Sequence, residues 1–322
     1  MRGYDRFPKS MAEFEAVFPS EAACREYLFS VRWPKGWQCP ACGATSGWRN
    51  VRELIECKAC GRQSSVTAGT VFHGTKRPLR LWFKAIFLMV TQKNGVSAKA
   101  LEGFLGVSYP TAWTWLQKLR RAMGNRPHKP LAGVVEVDDA YWGGHRKGER
   151  GRRKGGGSKD LILVAVEVAA NGKAGRLRMA RPPDHAAQSL TGAIGQHVAQ
   201  GSRIRTDGLS SYASLATKGY QHTPEVIGRN GGARAIEVLP NAHRAISLLK
   251  RWLLGTHQGA PKGKHIGGYL EEFEFRFNRR GARHRSLLFE RLVECAVGIV
   301  AKPYWQIIQR RHPGEPLHMG VA

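Results

Sequence analysis

The sequence predicts a multi-domain α/β protein. Three observations predict it. Two Cys-x-x-Cys pairs lie within residues 39–60. Residues 71–125 place apolar side chains at helical spacing. After Gly124–Pro130, which holds two prolines and two basic residues, the pattern changes to short β-branched runs. Two of these runs end in an acid and a turn.

A chain of 322 residues has room for two or three domains and at least one sizeable core. Lys and Arg number 51 against 24 acids, a formal charge of +27. Such an excess points to a polyanionic partner, nucleic acid or anionic lipid. Lipid fits less well, because the basic residues are spread along the chain and not gathered on one amphipathic helix. No stretch approaches ~20 uncharged apolar residues, so no membrane helix is expected. Residues 1–20 mix charged and apolar side chains and lack the continuous apolar core of a secretion signal. The expected location is the cytoplasm, in association with the nucleoid. Cysteines stay reduced there, and paired ones bind metal.

Residues 1–30 read as helical, broken at Pro19-Ser20 with Ser20 as an N-cap, and Cys24 reads as a buried apolar residue. Cys39, Cys42, Cys57 and Cys60 form two knuckles, each trailed by a glycine, with residues 43–56 between them. Each knuckle sets two thiolates on one tight turn, and two knuckles at this separation close a four-thiolate, structural Zn²⁺ site. Trp33, Trp37, Trp48, Arg49, Arg52, Lys58 and Arg62 surround it, either as a miniature core or as a face toward a nucleic-acid backbone.

Leu79, Trp82, Phe83, Ile86, Phe87 and Val90 mark one helix. A second, from Ser97, is followed by a turn at Gly106-Val-Ser108 and a third helix with a basic end, the pattern of a helix-turn-helix. Thr111, Lys118 and Arg121 on the last helix are the expected DNA contacts. An ordinary helical hairpin is the plainer alternative.

Val134–Gly144 reads as an apolar strand that breaks into Asp138, Asp139 and a two-glycine turn. With Leu161–Val168 and Gly175–Ala180 it makes an antiparallel meander, turning at Asn171-Gly172. The basic insert Gly143–Lys159 carries Arg146, Arg152 and Arg153, suited to gripping phosphates. Residues 202–208 repeat the logic of strand, acid and turn with Asp207. Two distant acids at strand ends are what a divalent cation needs to act on phosphate esters. Strand alternation favours Asp138 over Asp139, which could simply cap the turn, and leaves Glu136 on the Asp138 face. Residues 239–254 form a strong helix pattern that puts His243 and Lys250 on one side. Tyr269–Arg280 is a further helix, acidic early and basic late.

These motifs, in this order, carry a likeness. The double Cys-x-x-Cys is followed by Val-Glu-Val-Asp138-Asp139-x-Tyr-x-Gly-Gly, Thr-Asp207-Gly, His243-x6-Lys250-Arg-Trp and Tyr-Leu-x-Glu272-Phe-x-Phe-Arg-Phe-Asn278-Arg-Arg. The chain resembles the ISXO2-like transposases of the IS1595 group over roughly residues 15–300. The resemblance implies a zinc ribbon, a helical DNA-binding region and an RNase H-like catalytic domain with a mixed central sheet. It implies transposition with Mg²⁺ or Mn²⁺. Asp138 and Asp207 match the first two catalytic acids and would hold the magnesium. His243 and Lys250 match the third position and its following lysine, with Asn241, Glu271 and Glu272 as alternatives for the third ligand, Glu272 the stronger candidate of the two acids.

The expected organisation is a helical segment over 1–30, a zinc ribbon over 31–70 and a helix-turn-helix region over 71–125. A catalytic domain over 131–300 and a basic tail over 301–322 follow. The expected partners are double-stranded DNA, at element ends and target, and further copies of the chain, since two DNA ends must be joined. No membrane partner is expected. The competing readings are a non-catalytic zinc-ribbon and helix-turn-helix DNA-binding regulator, and a metal-dependent nuclease that cuts without joining.

Overall fold

The computed structural model describes residues 8–125, 127–143, 159–225, 237–261, 263–285, 287–300 and 302–308. The chain divides into two compact units, residues 1–125 with 282–322, and residues 126–281.

In the first unit, helices α1 (Met11–Val17) and α2 (Glu21–Arg32) start on Ser10 and Ser20, whose hydroxyls accept from the amides of Glu13 and Ala23. These are serine N-caps, and the second is the break read from the sequence. A small antiparallel sheet follows, β1 (Gly47–Arg49), β2 (Ile55–Cys57) and β3 (Gln63–Ser64). Helix α3 (Leu79–Thr91) is almost wholly buried. Helix α4 (Ala98–Leu105) is capped by Ser97 and stopped by Gly106 in a left-handed conformation, φ 62°. Helix α5 (Tyr109–Gly124) packs against α4 across that turn.

Two more helices belong to this unit. Leu287–Val297, α9 in chain order after the three helices of the second unit, packs on α2, α3 and α5. Its Phe289 lies 5.6 Å from the rings of Phe18 and Phe83 and 6.0 Å from Tyr27. The sequence reading placed this segment at the end of a stretch over 131–300. Its apolar stripe, with Leu288, Phe289, Leu292 and Val293 buried, finds its partners on the N-terminal helices instead. A last short helix, α10 (Tyr304–Ile308), sets Tyr304 edge-on to Trp113.

The second unit is built on a mixed five-stranded sheet in the order β6-β5-β4-β7-β8. Strands β4 (Val134–Trp142), β5 (Asp160–Val168) and β6 (Ala174–Ala180) form the expected antiparallel meander. Strands β7 (Arg203–Thr206) and β8 (Gln221–Pro224) add in parallel on the other side of β4. Alternation along β4 sends Val135 and Val137 into a core with Leu190 and Ile194 of α6 (Ala187–His197) and Tyr212 of a 3₁₀ helix, Ser210–Lys218. Trp142 points into the opposite core, with helices α7 (Pro240–His257) and α8 (Ile266–Phe277). The mixed α/β architecture is the fold class the sequence predicts.

Strand β6 is an edge, and α8 closes it with side chains. The Asn278 amide group accepts from the Leu177 N–H at 2.7 Å and donates to the Leu177 carbonyl at 2.9 Å, as a neighbouring strand would. Glu274 accepts from the Met179 N–H at 3.1 Å and pairs with buried Arg178 at 2.6 Å. An edge satisfied in this way has no free ladder to offer another chain.

Candidate active site and zinc ribbon

The two cysteine knuckles converge. Gly43 and Gly61 each follow a knuckle with positive φ, 76° and 68°, and their amides return to the Cys39 and Cys57 carbonyls. The four sulfur atoms lie within 4.8 Å of one another, with Cys39–Cys60 at 3.7 Å and Cys42–Cys57 at 3.6 Å. Tetrahedral zinc with bonds of about 2.3 Å requires sulfur separations of about 3.8 Å. The quartet therefore fits a structural zinc ion. Of the surrounding aromatics, Trp37 joins Cys39, Ile55 and Cys57 in a miniature core with Trp33 against it, whereas Trp48 is exposed. Cys24 is buried elsewhere, and burial pushes its thiol up to about 12, as for an inert core residue.

In the second unit, β4 and β7 are parallel neighbours, with Glu136 opposite Arg205. Continuing that register by two residues sets Asp138 across from Asp207, just past the end of β7. Adjacent strands lie about 4.8 Å apart, so the two acids are neighbours, Asp207 just past the end of β7 and Asp138 midway along β4. Strand β4 runs on to Trp142 instead of breaking at its acids as the sequence suggested. Asp138 is 8% exposed. Burial, and then the carboxylates of Asp139 and Asp207, push its carboxyl up to about 6, against the pull of His243. Its Oδ2 faces His243 Nδ1 at 3.5 Å, and its Oδ1 accepts from the Asp139 amide at 2.8 Å. The other ring nitrogen of His243, Nε2, is buried with no hydrogen-bond partner among the described residues.

His243 is held there by the strand itself. Glu136, fully buried two residues before Asp138, accepts from the amides of Asn241 at 2.7 Å and Ala242 at 3.0 Å, and from Asn241 Nδ2 at 3.0 Å. A carboxylate thus caps the N-terminus of α7. The Asn241 Nδ2 also donates to the Gly172 carbonyl, at 3.2 Å. Lys250 lies two turns beyond His243 on α7 and is exposed. Glu272 is fully buried on α8, 3.9 Å from Arg276, and the charges acting on Asp138 are those of His243, Asp139 and Asp207. Glu271, on the same helix, is pushed up to about 7 by burial and by Glu274.

Asp139 points to the other face of the sheet. Its carboxylate meets His185 Nε2 at 2.8 Å and accepts from the Tyr212 hydroxyl at 3.2 Å, while His185 Nδ1 meets the Tyr141 hydroxyl at 3.0 Å. Burial and the neighbouring acids hold the Tyr212 hydroxyl well above the ordinary tyrosine range. Sequence reasoning passed over His185, which sits in a Pro-Pro-Asp-His loop with no periodicity to mark it.

On α5, Thr111, Thr114, Lys118 and Arg121 recur at intervals of three and four residues and form the helix's accessible stripe, beside exposed Tyr109 and Phe104. Lys118 and Arg121 border a small hollow with Lys302, and Arg121 donates to the Val300 carbonyl at 3.3 Å. Arg146, Arg152 and Arg153 lie outside the described residues. Among the described residues, no helix is long and apolar enough to cross a membrane.

Residues 130–278 match the ISXO2-like transposase domain, and residues 19–63 match the transposase zinc-ribbon domain. The chain belongs to the IS1595 transposase family. The first match ends at Asn278, at the end of α8, so this transposase domain stops where the second unit does. A relative from Halobacterium salinarum is 29% identical over 276 residues, which is 81% of this chain and 92% of the relative. It is described as an uncharacterized protein in transposable element ISH50. This chain is an insertion-sequence transposase.

Proposed function

We propose that this transposase binds double-stranded DNA at the ends of its element and, with a divalent cation, cleaves the strands and transfers them to a target. The observation that supports the proposal is the parallel register of β4 and β7, which continued by two residues sets Asp138 beside Asp207, with His243 facing Asp138. A carboxylate raised by burial and then by like charges, beside a buried imidazole nitrogen with no partner among the described residues, is a donor set that a hard cation satisfies. Among the described residues, the acids do not close into a complete cage of three or more ligands. Mg²⁺ suits such a site, since it binds through one or two carboxylates and takes its remaining ligands from water and phosphate.

Asp138 and Asp207 would hold Mg²⁺ or Mn²⁺, which would supply Lewis-acid activation of a water or a 3′-hydroxyl and stabilisation of the leaving oxygen. His243 in its neutral form offers Nε2 to the ion or to the attacking hydroxyl, and fixes one oxygen of Asp138. Lys250 neutralises the phosphate that enters. Glu272, buried on α8, is the alternative third acid.

DNA is delivered by the first unit. Helix α4 buttresses α5, and Thr111, Lys118 and Arg121 meet the duplex. Burial holds the Lys118 ammonium below its ordinary value, so pairing with a phosphate offsets part of its desolvation. Arg146, Arg152 and Arg153 supply further positive charge for the backbone phosphates. Joining two ends takes at least two copies of the chain, and the work is done at the nucleoid.

The test is strand cleavage and joining with Mg²⁺ on an element-end duplex. Asp138→Ala and Asp207→Ala should each abolish both steps and leave duplex binding intact. Activity in either variant would remove the proposal.

A further inference from the structure

We infer that His185 is a positioning residue. From the opposite face of the sheet it fixes Asp139, and through the Asp139 amide it fixes the carboxylate of Asp138, which sets the affinity for the divalent cation. The inference deepens the two-acid reading of the site and rests on it.

The contacts form a continuous chain. The Asp139 amide donates to Asp138 Oδ1 at 2.8 Å, and Asp138 Oδ2 faces His243 at 3.5 Å. The two oxygens of Asp138 therefore have separate neighbours, and the plane of the peptide between residues 138 and 139 orients one of them. That peptide is steadied by the Asp139 side chain, which is itself held at both oxygens, by Tyr212 at Oδ1 and by His185 at Oδ2.

His185 is in turn pinned at both ends. Its Nδ1 meets the Tyr141 hydroxyl at 3.0 Å, and its carbonyl accepts from Ser211 Oγ at 2.6 Å. Asp139 is an acceptor, so Nε2 donates to it, and Nδ1 pairs with the Tyr141 hydroxyl. Simple satisfaction of buried groups does not require this arrangement. Tyr212 is fully buried and needs a partner, which Asp139 provides. The His185 side chain is 22% exposed and has water within reach, yet both of its nitrogens are spent on fixing the strand. Partners behind a ligand that fix its orientation typically affect metal affinity by about 10–100-fold.

The experiment is a Mn²⁺ titration at neutral pH, read by the electron paramagnetic resonance of the free ion, on the full-length zinc-loaded protein. It compares the parent with His185→Ala, His185→Gln and Asp138→Asn. His185→Ala should weaken Mn²⁺ binding by about 10–100-fold. His185→Gln, whose amide still donates to Asp139, should stay within roughly threefold of the parent, by the same logic of a retained donor. Asp138→Asn should abolish binding.

The inference is overturned if Asp138→Asn loses the ion while His185→Ala binds it as tightly as the parent. It is also overturned if the Gln and Ala variants are equally weak while both keep the parent's melting temperature. If Asp138→Asn itself binds Mn²⁺ like the parent, the two-acid reading fails first and the inference falls with it.

Discussion

Glu136 holds Asn241: a carboxylate on the central strand accepts the first free amides of α7 at 2.7 and 3.0 Å. The strand that carries Asp138 thereby fixes the start of the helix that carries His243, so the separation of these two side chains is set by a neighbour of each. Glu136→Ala leaves two buried helix amides and the Asn241 side chain without their acceptor. A loss of about 3 kcal/mol is expected, from one to three per unsatisfied group less relaxation. Glu136→Gln, which keeps one acceptor and gives up the charge, should lose about half as much. Urea unfolding measures both, and a loss below about 0.5 kcal/mol for the alanine variant would contradict the cap.

Asn278 is expected to act as a surrogate strand. Asn278→Ala removes both hydrogen bonds to Leu177 and should lower stability by about 2 kcal/mol. Amide hydrogen exchange gives a local readout. The Leu177 N–H should exchange much faster in the variant, while the amides of β4 stay protected.

Metal analysis should find one zinc per chain in the purified protein, bound by Cys39, Cys42, Cys57 and Cys60. Cys57→Ser should lose it. Trp37 packs in the core that the zinc closes, so chelation should shift its fluorescence to the red. An unchanged spectrum after complete zinc removal would show that the ribbon folds without its ion.

Glu271 predicts a pH dependence. Its folded carboxyl, pushed up to about 7 from 4.5, holds its proton more tightly than in the unfolded chain. The stabilising effect is therefore complete below about 4.5, is lost as pH rises toward about 7, and stays lost above that. Between about pH 5 and pH 8 this group should remove roughly 2–3 kcal/mol of stability. Glu271→Gln should flatten that part of the profile, as followed by thermal unfolding across the range. A slope equal to the parent's would assign the effect to other groups.

Local signals carried much of this architecture. The knuckles at 39–60 and the strand, acid and glycine at 206–208 are encoded within a few residues. Serine caps at 10, 20 and 97 mark helix starts in the same way. Harder to read was anything that depends on which elements meet. Helix α9 is amphipathic in isolation, and nothing in its own residues says that its partners are Phe14, Phe18 and Phe83, more than two hundred residues earlier. Glu136 could be placed on the Asp138 side by alternation, but its partner is a helix start about a hundred residues on. His185 carried no pattern at all, because a single loop histidine gains meaning only from what folds against it. Glu274 and Asn278 stand in the motif that includes Glu272, and only the sheet edge beside them separates their work from its own.

Along β4, odd and even positions look into different halves of the domain. Glu136, Asp138 and Asp139 sit within four residues, yet Asp139 cannot deputise for the other two, because it faces the opposite side of the sheet. Loss of a single residue just upstream would exchange their orientations together and turn Asp138 toward Tyr212. In this strand the spacing of the letters carries as much instruction as the letters themselves.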